Sequence, residues 1–178
     1  MILASIWLRP QAAQEAALHA VIDDLADAHG TVRFAPHLTV CGSLQEIAAL
    51  DAASAYIRRS GLLPLTVTMA GVASGIDSPF RAVFIVIEDS PALRGFREAL
   101  RDITRAGELH PPHVSLLYTL ERQTQWAMPQ LDRERLRAIA DTCNERVPRG
   151  ELTFDRAVVE TTDDGWDNVR SWALARAL

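Results

Sequence analysis

The segment Pro36-His37-Leu38-Thr39-Val40 and its near repeat Pro112-His113-Val114-Ser115-Leu116 decide the fold of this chain. Each reads proline, histidine, apolar, hydroxyl, apolar, and chance would give two such segments on the order of once in 10⁵ sequences if positions are independent. Because proline cannot donate a ladder hydrogen bond, a strand is predicted to begin at each histidine. The two segments therefore mark equivalent strands in two halves of the chain.

The sequence around these segments repeats one order of elements: strand, helix, strand, helix, strand. We predict one compact domain over residues 1–178, with related halves at about 1–73 and 80–178 that face each other across a cleft. Apolar spacing of 3.6 residues marks the helices, and period-two runs mark the strands. The predicted helices are Pro10–Ala28, one through Ile47 to Ile57, one opened by Ser90-Pro91 and one through Leu136 to Val147. The predicted strands are Ile2–Leu8, His37–Leu44, Leu62–Val72, Ala82–Ile87, His113–Leu120, Glu151–Glu160 and Trp166–Leu174. A turn at Asp163-Asp164-Gly165 joins the last two strands.

Composition and charge limit the classes of partner. The chain has 178 residues, 48% of them hydrophobic, and a formal charge of -5, which argues against a long nucleic acid held by a general positive field. A small anionic ligand in a local pocket is compatible with this net charge. The opening apolar run is too short for a secretory or membrane segment, and Cys41 and Cys143 are expected to be reduced, which together predict a cytoplasmic protein without a membrane partner. We expect a monomer.

The repeated segments carry a specific chemistry. Side chains two residues apart on a strand point to the same face about 6.5 Å apart, so His37 with Thr39, and His113 with Ser115, would surround a single ligand. A histidine titrates near neutrality, so one of the pair can take a proton from water while the other donates one to a leaving oxygen. The two hydroxyls would hold the non-bridging oxygens of a phosphate, where charge must be stabilised. The residues do not say which histidine is the acid.

A metal site is the main alternative use of these histidines. His110 and His113 could suggest one, but residues three apart on an extended chain face opposite ways, and no acidic cluster accompanies them. Each histidine alone could also be a structural one bonded to the backbone. The matched pair favours metal-independent catalysis with no cofactor.

The sequence resembles the two-histidine phosphoesterase superfamily, and within it the cyclic phosphodiesterases. The resemblance runs end to end through the two tetrads that start at His37 and His113. It also covers Ser5-Ile6-Trp7-Leu8, Arg33-Phe34-Ala35-Pro36, Ala82-Val83-Phe84-Ile85, Pro112–Tyr118 and Leu152–Trp172.

This resemblance implies an α+β fold in which two antiparallel-type sheets flank a central cleft. It implies hydrolysis of a small cyclic phosphodiester, either a nucleoside 2′,3′-cyclic phosphate or ADP-ribose 1″,2″-cyclic phosphate, to a phosphomonoester. It also places the rings of Trp7 and Tyr118 beside the nucleotide. Two other readings stay open: an RNA-end enzyme that opens terminal 2′,3′-cyclic phosphates or joins 2′-5′ links, and a non-catalytic nucleotide-binding module.

Overall fold

The computed structural model describes residues 4–44, 46–107, 110–122, 128, 130–147, 149–161 and 174–177. Strands and helices alternate along these residues as the periodicity predicts. Their order is β1 (Ala4–Pro10), α1 (Ala12–His29), β2 (Leu38–Leu44), α2 (Ile47–Ser60), β3 (Leu65–Ser74), β4 (Val83–Ile87), α3 (Pro91–Thr104), β5 (His113–Leu117), α4 (Arg133–Arg146), β6 (Gly150–Thr161) and β7 (Leu174–Ala177).

All described strand pairs are antiparallel, in the order β1-β2-β5-β4-β3-β6-β7, and β1 also pairs with β6. The predicted α+β class with antiparallel strands is confirmed. The two sheets expected from the resemblance are joined into one network, because β2 meets β5 through the single pair Leu38 and Val114. The long strand β6 makes the second junction, since it pairs with β3 at one end and with β1 along the other.

The pairing has an internal symmetry. Exchanging β1 with β4, β2 with β5 and β3 with β6 leaves the set of pairings in the six-strand ring unchanged. The strands of the two halves interleave, since β3 pairs with β4 and β6 and not with β1 or β2. His37 and His113 consequently lie at the starts of neighbouring strands, His37 directly before β2, which begins one residue later than predicted, and His113 as the first residue of β5. A duplication of the chain stays a prediction.

The helices cover the sheet with the apolar faces that their spacing predicts. Ser90 caps α3 by accepting a hydrogen bond from the Leu93 amide, and Pro91 occupies the first turn, where its missing N–H costs nothing. In α1, α3 and α4 the buried positions repeat at helical intervals: Leu18, Val21, Ile22 and Leu25; Leu93, Phe96 and Leu100; Leu136, Ile139, Ala140 and Cys143. Of the four helices described, none combines the length and apolar character that crossing a membrane requires.

Several element boundaries differ from the prediction. Pro10 does not open α1 but ends β1, where it pairs with Phe154. Strand β5 stops at Leu117 and not at Leu120, because the Thr119 amide donates to the Pro79 carbonyl at 2.9 Å. Strand β3 begins at Leu65 and not at Leu62, after the cis peptide between Leu63 and Pro64.

The C-terminal part of the chain is described only in part. The predicted turn at Asp163-Asp164-Gly165, and all but the last residue of the predicted strand Trp166–Leu174, lie outside the described residues. Strand β7 begins at Leu174, the residue where the predicted strand ends, and pairs with β6. Cys41 and Cys143 are both buried and free, as expected.

Candidate active site

The junction of β2 and β5 brings the two repeated segments together. Leu38 lies opposite Val114, and both are fully buried. Continuing this antiparallel register by one residue places Thr39 opposite His113 and His37 opposite Ser115, on the other face of the strands. All four side chains line one cavity of about 350 Å³, a volume within the usual range for a small-molecule site.

The two histidines are held in the same way. Nδ1 of His37 lies 2.6 Å from the Ala35 carbonyl oxygen, and Nδ1 of His113 lies 2.8 Å from the Pro111 carbonyl oxygen. Because a carbonyl only accepts, each Nδ1 must carry a proton, which leaves Nε2 as the nitrogen that can gain or lose one. Each ring is thus fixed by the carbonyl two residues before it.

His37 is the more deeply buried of the pair. Its ring stacks on Trp7 with centroids 3.6 Å apart and planes 9° apart, while Phe34 approaches edge-on at 6.4 Å. Burial lowers the pKa of His37 to about 3, and the positive charges of Arg9 and a protonated His113 act in the same direction. His37 is therefore neutral near pH 7 and has a free lone pair on Nε2.

His113 lies in a more open and more positively charged place. It is half-buried, and the edge of Phe84 approaches its ring at 5.6 Å. Burial lowers the pKa of His113, and the charges of Arg81, His110 and Arg97 lower it further. An anion bound between these groups would favour the protonated form of His113 and so raise its pKa again.

The two hydroxyls differ in their hydrogen bonds. Ser115 Oγ donates to the Phe80 carbonyl oxygen at 2.7 Å, so its proton already has an acceptor within the protein. Thr39 lies on the opposite strand and lines the same cavity. In this arrangement Thr39 suits the predicted contact with a phosphate oxygen better than Ser115, which instead ties the segment before β4 to β5.

The aromatic residues predicted to contact substrate occupy different places. Tyr118 lines the cavity, stacks on Phe34 at 3.8 Å and meets Phe80 edge-on at 5.7 Å. Trp7 is buried behind His37 and is not among the residues that line the cavity. This position does not support a contact between Trp7 and substrate; it gives Trp7 a role in holding His37.

Several cavity residues were not singled out from the sequence as site residues. Arg97 on α3, Phe80 before β4, and His110 all line the cavity. The expectation that His110 faces away from His113 is wrong, because residues 110–112 precede β5 and do not follow strand geometry. Arg81 also lines the cavity, pairs with Asp77 and lies over the Phe84 ring at 5.6 Å.

Comparison with known proteins identifies the fold. The sequence matches no protein-family model and no curated protein. The crystal structure of apo E. coli LigT matches with a TM-score of 0.63 at 15% identity, covering 99% of this chain and 96% of LigT. This chain has the LigT fold.

Two further structures support that assignment. LigT in complex with ATP gives a TM-score of 0.60 at 14% identity, with 99% of this chain and 96% of LigT covered. A crystal structure described as a phosphoesterase gives 0.53 at 13% identity and covers 90% of this chain and 88% of its own. At these identities, the neighbours show the fold of this chain.

Proposed function

We propose that this protein hydrolyses a small cyclic phosphodiester, a nucleoside 2′,3′-cyclic phosphate or ADP-ribose 1″,2″-cyclic phosphate, to a phosphomonoester without a metal. The observation that carries the proposal is the matched pair of histidines. Each donates Nδ1–H to the carbonyl two residues earlier, and both rings line one cavity. Two nitrogens that can exchange protons, on either side of one phosphorus, are what general acid–base hydrolysis requires.

The difference in burial supports one assignment of the two roles. His37 is 7% exposed and neutral at pH 7, so its Nε2 takes the proton from the attacking water. His113 is less buried and is surrounded by cations that an anionic substrate neutralises, so it carries the proton that the leaving oxygen needs. At pH values between the pKa of His37 and the pKa of His113, the free enzyme then has a neutral His37 and a protonated His113, the pair of states that the reaction needs.

The reaction balances with these groups alone. Water oxygen forms a bond to phosphorus while His37 Nε2 takes its proton, and the bond from phosphorus to one ribose oxygen breaks as His113 Nε2–H protonates that oxygen. The product is a phosphomonoester with a free hydroxyl. Thr39 and the Arg81 guanidinium lie on the cavity wall, where they stabilise the negative charge on the non-bridging oxygens.

The ligands of the structural neighbours are consistent with this substrate class. E. coli LigT has been crystallised with phosphate, with 3′-AMP, with ATP and with NADP+. A phosphate between His37 and His113, with a base toward Phe80 and Tyr118, would use the cavity of this chain in a comparable way.

A sulfur-substituted substrate tests the assignment. A cyclic phosphate whose leaving oxygen is replaced by sulfur needs little protonation, because thiols are much stronger acids than alcohols. His113→Ala should lose about 10²-fold in kcat on the oxygen substrate and recover most of that on the sulfur substrate, whereas His37→Ala should stay slow on both. His19→Ala, outside the cavity, is the matched control.

Three outcomes would contradict the proposal. Near-normal turnover by either cavity-histidine variant would exclude paired-histidine catalysis. Activity lost on exhaustive chelation and restored by Zn²⁺ or Mn²⁺ would indicate a metal mechanism. Binding of cyclic nucleotides with no turnover by the wild type would identify a binding module.

A further inference from the structure

The cavity extends to both sides of the histidines, and the two ends differ in chemistry. Strand β2 continues beyond Thr39 toward Gly42, and the antiparallel β5 is preceded by His110, so these residues lie toward the same end of the strand pair. The Thr104 hydroxyl lies 3.2 Å from Cys41 Sγ, which places the end of α3 there as well. We call this the α3 end; its lining residues are Cys41, Gly42, Arg97, Ala106, Gly107 and His110.

The opposite end is aromatic. It is lined by Phe80 and Tyr118, which follow the strand pair in the other direction. Phe80 is 37% exposed, so part of its ring is available at the cavity wall. The histidines therefore lie between an aromatic end and an end that carries the Arg97 guanidinium.

Arg97 is the unusual member of the α3 end. It is only 6% exposed, and its Nη2 donates to the His110 carbonyl, while its buried Nε has no hydrogen-bond partner. In the part of the chain that the structure describes, Arg97 makes no ion pair with a carboxylate, whereas Arg94 on the same helix pairs with Asp89. Burial lowers the pKa of Arg97, and the charge of Asp89 acts in the opposite direction with a smaller effect.

A buried and unpaired guanidinium is costly, and proteins keep such a charge where a counter-ion binds. We propose that Arg97 forms an anion subsite at the α3 end, which binds a second phosphate of a nucleotide whose cyclic phosphate lies between His37 and His113. This inference rests on the proposed function. Arg97 would contact the second phosphate and not the reacting one.

The covalent structure of the nucleotide fits this arrangement. In a nucleoside 2′,3′-cyclic phosphate the base is bonded to C1′, beside C2′, and the 5′ carbon is bonded to C4′, beside C3′. The base and the 5′ substituent therefore flank the cyclic phosphate at the two ends of the C2′–C3′ bond. A base at Phe80 and Tyr118 directs the 5′ oxygen toward Arg97, so the preferred substrate carries a phosphate on that oxygen.

Three substrates and two variants test the subsite. The substrates are adenosine 2′,3′-cyclic phosphate, the same compound with a 5′-phosphate, and a dinucleotide that ends in the cyclic phosphate. Wild type should show at least about tenfold higher kcat/KM with the 5′-phosphate. Arg97→Met should lose that preference and act on the unphosphorylated compound within about threefold of wild type, while Arg94→Met, the control on the same helix, should retain the preference.

A binding measurement separates this inference from the proposed function. Calorimetry should give adenosine 5′-monophosphate a lower Kd than adenosine in wild type and in Arg94→Met, but equal Kd values in Arg97→Met, even if no cyclic phosphate is hydrolysed. If circular dichroism shows that Arg97→Met does not fold, Arg97→Gln, which keeps a donor for the His110 carbonyl, replaces it.

The outcomes are distinct. An equal loss in Arg97→Met on substrates with and without the 5′-phosphate would place Arg97 at the reacting phosphate and overturn the subsite. No preference for the 5′-phosphate in wild type would overturn it too. A gain with the dinucleotide as large as with the 5′-phosphate would support the subsite and identify an internucleotide phosphate as its ligand.

Discussion

Trp7 stacks on His37 with ring centroids 3.6 Å apart and planes inclined by 9°. The indole covers one face of the imidazole, and the Ala35 carbonyl accepts a hydrogen bond from Nδ1 at the ring edge. Trp7 thus excludes water from one face of His37 and restricts its rotation, as the proposed role of His37 as a general base would require.

Trp7→Leu should therefore change the base and not the binding of substrate. We expect the pKa of His37, followed by NMR titration of its ring proton, to rise toward 6.5 because water reaches the ring. The kcat should fall by about tenfold or more, since small misplacements of a catalytic group are costly. Trp7→Phe, which keeps a ring, should retain most activity. A rise in KM at unchanged kcat in Trp7→Leu would instead indicate that Trp7 contacts the substrate.

His37→Ala and His113→Ala should each lower kcat by about 10²-fold or more, with near-native circular dichroism. Because the two groups act on one transition state, the double variant should be little slower than the slower single variant. Losses that multiply in the double variant would indicate independent roles.

The pH dependence of kcat/KM should be a bell displaced to the acid side of neutrality. It rises as His37 loses its proton, near the pKa of about 3 that burial gives it, and falls as His113 loses its proton through a pKa below 6.5. Stopped-flow assays across this range measure both limbs. A single decline centred above pH 8 would contradict the assignment of His113 as the acid.

Thr39→Val and Ser115→Ala should separate the two hydroxyls. Loss of a donor to transition-state charge should cost Thr39→Val about 10-fold or more in kcat with little change in KM. The Ser115 proton is held by the Phe80 carbonyl, so Ser115→Ala should act mainly on KM by loosening the Phe80 segment. Steady-state kinetics with equal kcat losses in both variants would show that Ser115 turns toward the phosphate.

The salt dependence of binding should be shallow. Each phosphate contact on a single strand contributes about -0.7 to the slope of log K against log salt, so two phosphates predict a slope of about -1.4, and we expect it to be no steeper than about -2. An oligonucleotide that ends in a cyclic phosphate should show no gain in kcat/KM over the 5′-phosphorylated mononucleotide. A steep slope with preference for the longer substrate would favour the RNA-end enzyme, with arginines forming a track that the net charge of -5 conceals.

The sequence by itself determined the local structure and the positions of the two histidine segments. Apolar spacing located α3, because the residues on the buried face of a helix recur every three to four positions, and Ser90-Pro91 located its start. The two proline-histidine segments located β2 and β5, because a proline limits where a ladder can begin. Both signals depend on neighbours in the chain, which a sequence contains in full.

Only the tertiary structure decided which residues meet. Pro10 joins β1 because Phe154, far along the chain, offers it a pairing position. Trp7 lies behind His37 because β1 pairs with β2. Arg97, whose Nη2 donates to the His110 carbonyl, lines the cavity because α3 packs against β2. Periodicity reports that a side chain is buried but not against what, since contacts between strands distant in sequence depend on pairings that no local pattern encodes.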